Sequence, residues 1–224
     1  MLVLDLIIPK NLKVGWIDGG FDRSWYWAQQ MGFSVTLLSD TQLRKGEFEA
    51  LDTIVIGTLA AGNRPVNEAS NLLKKWVQDG GRLVSQYHRP MDNWDSNSTV
   101  PGKLEIGRPS IRWRITDPSA PVELLEPDSS LMNFPNKIES TDWEGWVKER
   151  GLYFASEWDP RYQPLIRVAD PNESSLDGGL LEGRFGNGSH IHCALNLFYQ
   201  MENLVPGAFR IFANLLSHEG SQTS

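Results

Sequence analysis

Residues 51–87, "LDTIVIGTLAAGNRPVNEASNLLKKWVQDGGRLVSQY", hold the pattern that decides the fold. Residues 51–57 form an apolar run rich in β-branched residues, which predicts a buried strand of a parallel sheet. Pro65 stands where a helix would begin, and Gly80 follows the last residue of its apolar face. Another apolar run comes directly after that helix. The order of strand, helix and strand predicts a parallel βαβ unit.

The same alternation of predicted strands and helices is found in the preceding part of the chain. Residues 12–18 form an apolar run that predicts a strand, and residues 34–39 form another. Between them, Asp22 is suited to cap a helix that Gly32 would end. Residues 12–90 therefore predict the order β-α-β-β-α-β and a flavodoxin-like, doubly wound, mainly parallel sheet.

The rest of the chain departs from this alternation of strands and helices and then partly returns to it. Residues 91–175 are rich in proline and tryptophan and show no helical period, which predicts an irregular insertion with short strands. Residues 178–198 predict an antiparallel strand pair whose turn is "FGNG", because Asn-Gly accepts positive φ. Residues 205–217 predict an amphipathic helix. We expect one domain over residues 1–224, with residues 1–11 as a lead-in strand or linker.

Composition excludes several classes of function. The 224 residues carry 21 Lys and Arg against 28 Asp and Glu, a net charge of −7, which argues against a nucleic-acid partner. The apolar N-terminal stretch is interrupted by Asp5 and Pro9, so it predicts neither a membrane span nor a signal peptide. A chain expressed as given would be cytoplasmic, although a longer parent protein could be exported. The single cysteine, Cys193, excludes an intrachain disulfide.

A doubly wound sheet has its crevice at the carboxyl ends of its strands, which locates the first candidate site. The residues delivered there are Asp18, Gly19, Gly20, Thr58, Gln86, His88 and Arg89. His88 is a candidate base, with Asp18 or Arg89 in support, or it binds an anionic or hydroxyl-rich ligand together with Arg89. The alternative is that His88 and Arg89 anchor the insertion by hydrogen bonds and salt bridges.

The nine tryptophans give a second candidate site, because flat rings stack on sugars. Trp94, Trp113 or Trp158 could form such a platform, although a large core explains an excess of tryptophan equally directly. Glu157 and Asp159 flank Trp158 either as a glycosidase carboxylate pair or simply as part of a turn closed by a proline.

Two histidines raise the question of a metal. His190 and His192 share one face of a predicted strand, but no third ligand is recognisable. The sequence predicts no metal and no cofactor.

Several stretches resemble a known family. "LKVGWIDGGFD" (12–22), "DWEGWVKERGLYF" (142–154), "EWDPRY" (157–162) and the segment from Gly188 onward resemble the C-terminal domain of large bacterial PIG-L (LmbE-like) deacetylases. The resemblance implies a class I glutamine amidotransferase-like, or trehalose-utilisation-like, fold. It also implies a PIG-L-type deacetylase as partner, fused or separate. In that family the deacetylase chemistry belongs to an N-terminal zinc domain with a His-Pro-Asp-Asp motif, which this sequence lacks.

Amidotransferase chemistry needs an activated cysteine on the turn after the fourth strand. Residues 86–89 contain no cysteine, and the nearby Ser85 lies within the strand pattern. Cys193 lies in a strand interior, and His192 beside it must point to the opposite face, so we expect an ordinary or raised thiol pKa. The sequence favours a catalytically silent accessory domain that docks to the deacetylase or holds a glycan. The alternatives are a hydrolase with a relocated site in the crevice, and a carbohydrate-binding module.

Overall fold

The computed structural model describes residues 4–218, and a mixed α/β architecture organises them. The strands are β1 (Lys13–Ile17), β2 (Ser34–Leu37), β3 (Thr53–Ile56), β4 (Arg82–Gln86), β5 (Leu104–Ile106), β6 (Arg114–Ile115), β7 (Val122–Leu124), β8 (Gly151–Leu152), β9 (Ala155–Trp158), β10 (Tyr162–Pro164), β11 (Ile166–Val168), β12 (Leu180–Phe185) and β13 (Gly188–Cys193). The α-helices are α1 (Ser24–Met31), α2 (Asp40–Lys45), α3 (Val66–Gln78), α4 (Ser130–Asn133), α5 (Leu197–Glu202) and α6 (Pro206–Leu216). None of these helices has the length and apolar character needed to cross a membrane.

The central sheet has seven strands in the order β10-β12-β13-β4-β3-β1-β2. Strands β2, β1, β3, β4 and β13 run parallel, whereas β12 is antiparallel to both of its neighbours. The predicted fold class, a doubly wound and mainly parallel sheet with an antiparallel pair near the C-terminus, is confirmed. In the turn of that pair the positive φ is carried by Gly186, at +67°, one residue before the Asn-Gly pair that the sequence pointed to.

The inner strands β3 and β4 are buried along their whole length because helices cover both sides of the sheet. Trp16 and Cys193 face the side of α1 and α6, where the Trp16 ring lies 6.1 Å from that of Phe212. Leu73 of α3 and Leu83 of β4 belong to the separate cluster on the other side.

One connection differs from the prediction. A short helix, α2, joins β2 to β3, so the observed order is β-α-β-α-β-α-β. Ser39 and Gln42 form a reciprocal capping box at its start, and Gly46 ends it in the left-handed conformation. Only Leu43 of its six residues is buried, and one apolar residue does not make a helical period.

The segment predicted as an irregular insertion forms three two-stranded sheets, β5 with β9, β6 with β8, and β7 with β11. Its strand β10, however, joins the edge of the central sheet. The buried Arg150 holds this segment from within, because its guanidinium donates to the carbonyl groups of Ala120 and Trp143. The helix predicted over residues 205–217 is α6, and a short helix that was not predicted, α5, precedes it.

Candidate functional site at the carboxyl edge of the sheet

The loop after β1 is tied down by neighbouring side chains. Asp18 Oδ1 accepts a hydrogen bond of 2.8 Å from the Gly20 amide, and Arg64 Nη1 donates to the Asp18 carbonyl at 2.7 Å. A Cβ on Gly19 would lie 2.4 Å from the Thr58 carbonyl oxygen, so only glycine permits this approach of the two loops. The structure therefore brings the predicted residues Asp18, Gly19 and Thr58 together, and the side chains of Asn63 and Arg64 hold the loop of Asp18 and Gly19 in place.

Thr58 and Gln86 bridge the ends of β3 and β4. Gln86 Oε1 accepts hydrogen bonds from the Thr58 amide at 3.0 Å and from the Thr58 hydroxyl at 3.2 Å. Both side chains are buried. This pair fixes the spacing of the two strand ends. Gln86 Oε1 already accepts two hydrogen bonds from Thr58.

His88 is fully buried, and both of its ring nitrogens have partners. Nδ1–H donates to the Gln86 carbonyl at 2.8 Å, while Nε2 accepts from the Ala61 amide at 3.1 Å. The Trp94 ring lies 5.0 Å away, and burial lowers the pKa of His88 to about 4. A histidine sealed in this way has no access to a substrate, which removes the support for His88 as an accessible base assisted by Asp18.

Arg89 turns toward the insertion instead of the crevice. Its Nε and Nη2 both donate to the buried carboxylate of Asp92, at distances of 2.7–3.0 Å. The Arg89 amide donates to the same carboxylate. This geometry agrees with the alternative in which His88 and Arg89 anchor the start of the insertion.

Tyr87, between Gln86 and His88, is the residue that the sequence did not single out. Its ring lies 5.8 Å from that of Tyr153 and 6.4 Å from that of Phe198. Burial raises the Tyr87 pKa well above its usual value, and the charges of Asp22 and Glu149 raise it further. Two carboxylates from distant parts of the chain thus lie within electrostatic range of one phenol.

Two polar side chains, those of Asp22 and Asn196, bind neighbouring groups. Asp22 was predicted to cap α1, but the N-cap is Arg23; Asp22 lies one residue earlier, and its Oδ1 accepts from the Ser24 amide at 2.8 Å. Burial raises the Asp22 pKa, and the Thr58 hydroxyl and Ser24 partly offset that rise. Asn196 Nδ2 donates to Glu149 Oε1 at 2.5 Å, and Asn196 Oδ1 is without a partner in residues 4–218.

A second polar cluster lies inside the sheet layer. Ser85 Oγ is 3.0 Å from His190 Nε2 and 2.9 Å from His192 Nδ1, and the Tyr162 hydroxyl is 2.5 Å from His190 Nδ1. Burial lowers the pKa of His192 to about 3 and that of His190 well below its usual value. Ser85 and both histidines are fully buried, so this serine-histidine contact has no route to a substrate. No group of three or more potential metal ligands occurs within residues 4–218.

Cys193 lies on the face of β13 opposite His192. It packs in the cluster on the α1 and α6 side, whereas His192 contacts Ser85 and Trp94. The cysteine is 2% exposed, and burial raises its thiol pKa to about 12. The thiol is therefore protonated at neutral pH and has no histidine beside it.

Two of the three candidate platform tryptophans line one cleft of 510 Å³, and we call this the Trp113–Trp158 cleft. Arg108, Arg112, Ser174 and Ser175 also line it. Trp94, in contrast, is buried, and its Nε1 donates to the Leu104 carbonyl.

The two carboxylates that flank Trp158 each have a basic partner. Glu157 pairs with Lys103 at 2.8 Å, and Asp159 pairs with Arg161 at 2.7 Å. The Arg161 hydrogen bond lowers the Asp159 pKa to about 2. This arrangement agrees with a structural turn better than with a catalytic pair of carboxylates.

The mainly parallel seven-stranded sheet with helices on both sides is shared by solved structures of an amidotransferase-like, ThuA-like fold. A cytoplasmic protein of Salmonella typhimurium superposes with a TM-score of 0.61 at 12% identity, over 92% of this chain and 97% of that one. A second cytoplasmic protein of Salmonella typhimurium gives 0.57 at 12% identity, over 92% and 98%. A ThuA-like protein of Bacteroides uniformis gives 0.54 at 8% identity, over 98% and 95%.

This chain thus has a ThuA-like fold, and identities this low show the fold alone. No protein-family model matches the sequence. No curated protein matches it either.

Proposed function

We propose that this chain is a catalytically silent amidotransferase-like domain that holds a glycan and serves a PIG-L-type deacetylase, fused to it or as a separate subunit. The observation that carries the glycan-binding role is the Trp113–Trp158 cleft. Its size suits one or two sugar rings, since ligand pockets typically measure about 300–1,000 Å³.

The ring of Trp113 is held in a fixed position before any ligand binds. It lies directly against the backbone of Gly107, where an added Cβ would be 2.0 Å from Trp113 Cγ. Trp158 is the last residue of β9, and it lies opposite Leu104 of β5. Rings fixed in this way stack on pyranose faces at little entropic cost. The hydroxyl groups of Ser174 and Ser175 supply partners for sugar hydroxyls.

Catalytic silence is supported by the state of the two nucleophile candidates. Attack by a cysteine requires an accessible thiolate, and attack by a serine requires an accessible hydroxyl beside its base. Cys193 and Ser85 are both buried. The partnership with a deacetylase rests on the sequence resemblance of residues 142–154 and 157–162.

The glycan-binding role is tested by titrating the purified chain with a chito-oligosaccharide in a calorimeter. We expect saturable binding that weakens by about tenfold or more in Trp113→Ala and in Trp158→Ala, because stacked rings dominate such sites. Tyr26→Ala, which removes a 40% exposed ring on α1, is the matched control and should bind like the wild type. Absence of binding, or equal binding by all variants, would overturn the role.

The lack of catalytic activity and the partnership with a deacetylase are tested separately. Hydrolysis of glutamine or of an N-acetyl sugar by the purified chain, abolished by a point substitution, would contradict silence. A PIG-L-type deacetylase encoded in frame with this chain or beside it, and co-purifying with it, is the expected result for the partnership. Its absence from both positions would contradict the partnership and leave the glycan-binding test unaffected.

A further inference from the structure

We propose that the insertion holds a second binding site, separate from the Trp113–Trp158 cleft, for a small molecule that joins a flat apolar body to a carboxylate group. The site is a pocket of 410 Å³ with Arg150 in its wall, and we call it the Arg150 pocket. None of the residues that line it also lines the Trp113–Trp158 cleft. The two sites are therefore independent, and the Arg150 pocket does not require the glycan-binding role.

The first observation is a buried positive charge without a counter-charge in contact. Arg150 is 3% exposed, and none of the ion pairs within residues 4–218 includes it. Asp117 acts on Arg150 electrostatically, but Asp117 Oδ1 accepts its hydrogen bonds from the amide and hydroxyl of Ser119. Burial lowers the Arg150 pKa to about 10, so the group keeps its charge at neutral pH. Since buried charges in proteins are normally paired, an anion seated in the pocket is the expected partner.

The second observation is a set of unused donors. A guanidinium group carries five N–H groups. Arg150 uses three of them, because Nε and Nη2 donate to the Ala120 carbonyl and Nη1 donates to the Trp143 carbonyl. The other two, one on Nη1 and one on Nη2, have no acceptor in the described part of the chain. A carboxylate accepts two parallel N–H bonds from one guanidinium, so its two oxygens match this pair of donors.

The third observation is the apolar wall of the pocket. The rings of Trp143 and Trp146 stack with centroids 5.6 Å apart and planes inclined by 27°, and Pro118 and Pro121 also line the pocket. A mostly apolar lining with a few polar groups is typical of a site for a small organic molecule. Flat rings pack well against indole and proline surfaces. An inorganic anion would leave this wall uncovered, so the wall favours an organic acid with a planar body.

Glu144 is the only carboxylate among the described residues that line the pocket. It is exposed to solvent, and water screens the charge of an exposed group. Glu144 therefore weakens the binding of an anion without preventing it. This repulsion gives the proposed ligand charge a signature that can be measured.

The test compares indole-3-acetate with indole-3-acetamide, which keeps the ring but has no charge, and with acetate, which keeps the charge but has no ring. Calorimetry on the full chain near neutral pH should give saturable binding of indole-3-acetate. It should be about tenfold or more tighter than that of the amide, because hydrogen bonds between charged groups are the stronger ones. Acetate should bind more weakly than indole-3-acetate by a similar factor, because it covers none of the apolar wall.

Three results would each overturn the proposal. They are the absence of saturable indole-3-acetate binding, equal binding of the acid and the amide, and binding of acetate as tight as that of indole-3-acetate. An excess of chito-oligosaccharide should leave the binding of indole-3-acetate unchanged, and displacement would show that the two sites are one. Failure of the oligosaccharide to bind would count against the glycan-binding role alone.

Variants locate the binding. Ser140→Trp, at an exposed position that lines the pocket, should fill the space and weaken indole-3-acetate binding by about tenfold or more. Arg150→Lys keeps a positive charge near the two carbonyl groups but loses the paired donors, and it should weaken binding by about tenfold. Glu144→Gln should tighten binding by about twofold or more, because it removes a repelling charge. Ser34→Trp, at an exposed position of β2 outside the pocket, is the matched control and should bind like the wild type. Weaker binding in Glu144→Gln, or unchanged affinity in both Ser140→Trp and Arg150→Lys, would show that indole-3-acetate binds elsewhere.

Discussion

Mild acid should destabilise this protein at a pH where most carboxylates are still ionised, because three histidines are buried in the neutral form. His88, His190 and His192 are each fully buried. Burial lowers the pKa of His88 to about 4 and that of His192 to about 3, and it lowers the pKa of His190 well below its usual value. In the unfolded chain each titrates near about 6.5. Their contribution to stability is therefore complete above that value and is lost as the pH falls toward the folded pKa.

The size of the effect follows from proton counting. Between the folded and unfolded pKa values, unfolding takes up one proton per histidine, which costs about 1.4 kcal/mol of stability per pH unit. Three histidines together give a slope of up to about 4 kcal/mol per pH unit. From about pH 7.5 to about pH 5 the loss is roughly 2 kcal/mol per histidine and roughly 6 kcal/mol in total. A domain of ordinary stability, about 5–15 kcal/mol, would approach its unfolding midpoint.

Urea unfolding followed by tryptophan fluorescence, at several pH values between about 7.5 and 5, measures this slope. His88→Gln is the matched variant, because glutamine can both donate and accept as His88 does but takes up no proton. It should lower stability at neutral pH and reduce the slope by about 1.4 kcal/mol per pH unit. The reasoning would be refuted if the wild-type stability fell by less than about 1.4 kcal/mol per pH unit, which corresponds to one proton. It would also be refuted if His88→Gln left this slope unchanged.

Three further outcomes are expected. Iodoacetamide should label native Cys193 slowly, since burial raises its thiol pKa to about 12, and rapid labelling would reveal an activated thiol. For the same residue, Cys193→Ser should lower the free energy of unfolding by about 1–3 kcal/mol. Gly107→Ala should displace Trp113 and abolish oligosaccharide binding while circular dichroism stays native-like, and retained affinity would contradict a preset ring. Arg150→Met should cost about 3 kcal/mol in urea unfolding, because two buried carbonyl groups lose a charged donor.

The sequence predicted the sheet because its signal is local. Strands β1 and β3 are short apolar runs, and residues 51–87 contain a complete βαβ unit. Helix α2 escaped prediction because it buries a single leucine. Strand β10 was not assigned to the central sheet, because nothing within its three residues, Tyr162–Pro164, reveals a pairing with β12.

The candidate site was less predictable because its properties depend on distant residues. His88 is sealed by a ring contact with Trp94, which belongs to the insertion. The sequence leaves Glu149 as either a surface charge or a tie to the insertion, and the structure shows it buried and bonded to Asn196, 47 residues later. A carboxylate near the end of an irregular segment gives no local signal of burial. The acidic residue in "GGFD" and the tyrosine after β4 are evident in the sequence, but the effect of the Asp22 charge on the Tyr87 pKa depends on the folded sheet.

The place of β13 between β4 and β12 has a consequence for how the chain folds as it is synthesised. Its pairing of Ser189 with Arg82 joins residues 107 positions apart. While the ribosome is still translating the intervening segment, β4 presents a row of unpaired backbone N–H and C=O groups on one side. Unpaired strand edges of this kind pair with other chains, so the nascent protein is vulnerable to aggregation until residues 188–193 emerge. Synonymous codon changes that slow translation between β4 and β13 should therefore lower the soluble yield, although the mature protein is identical.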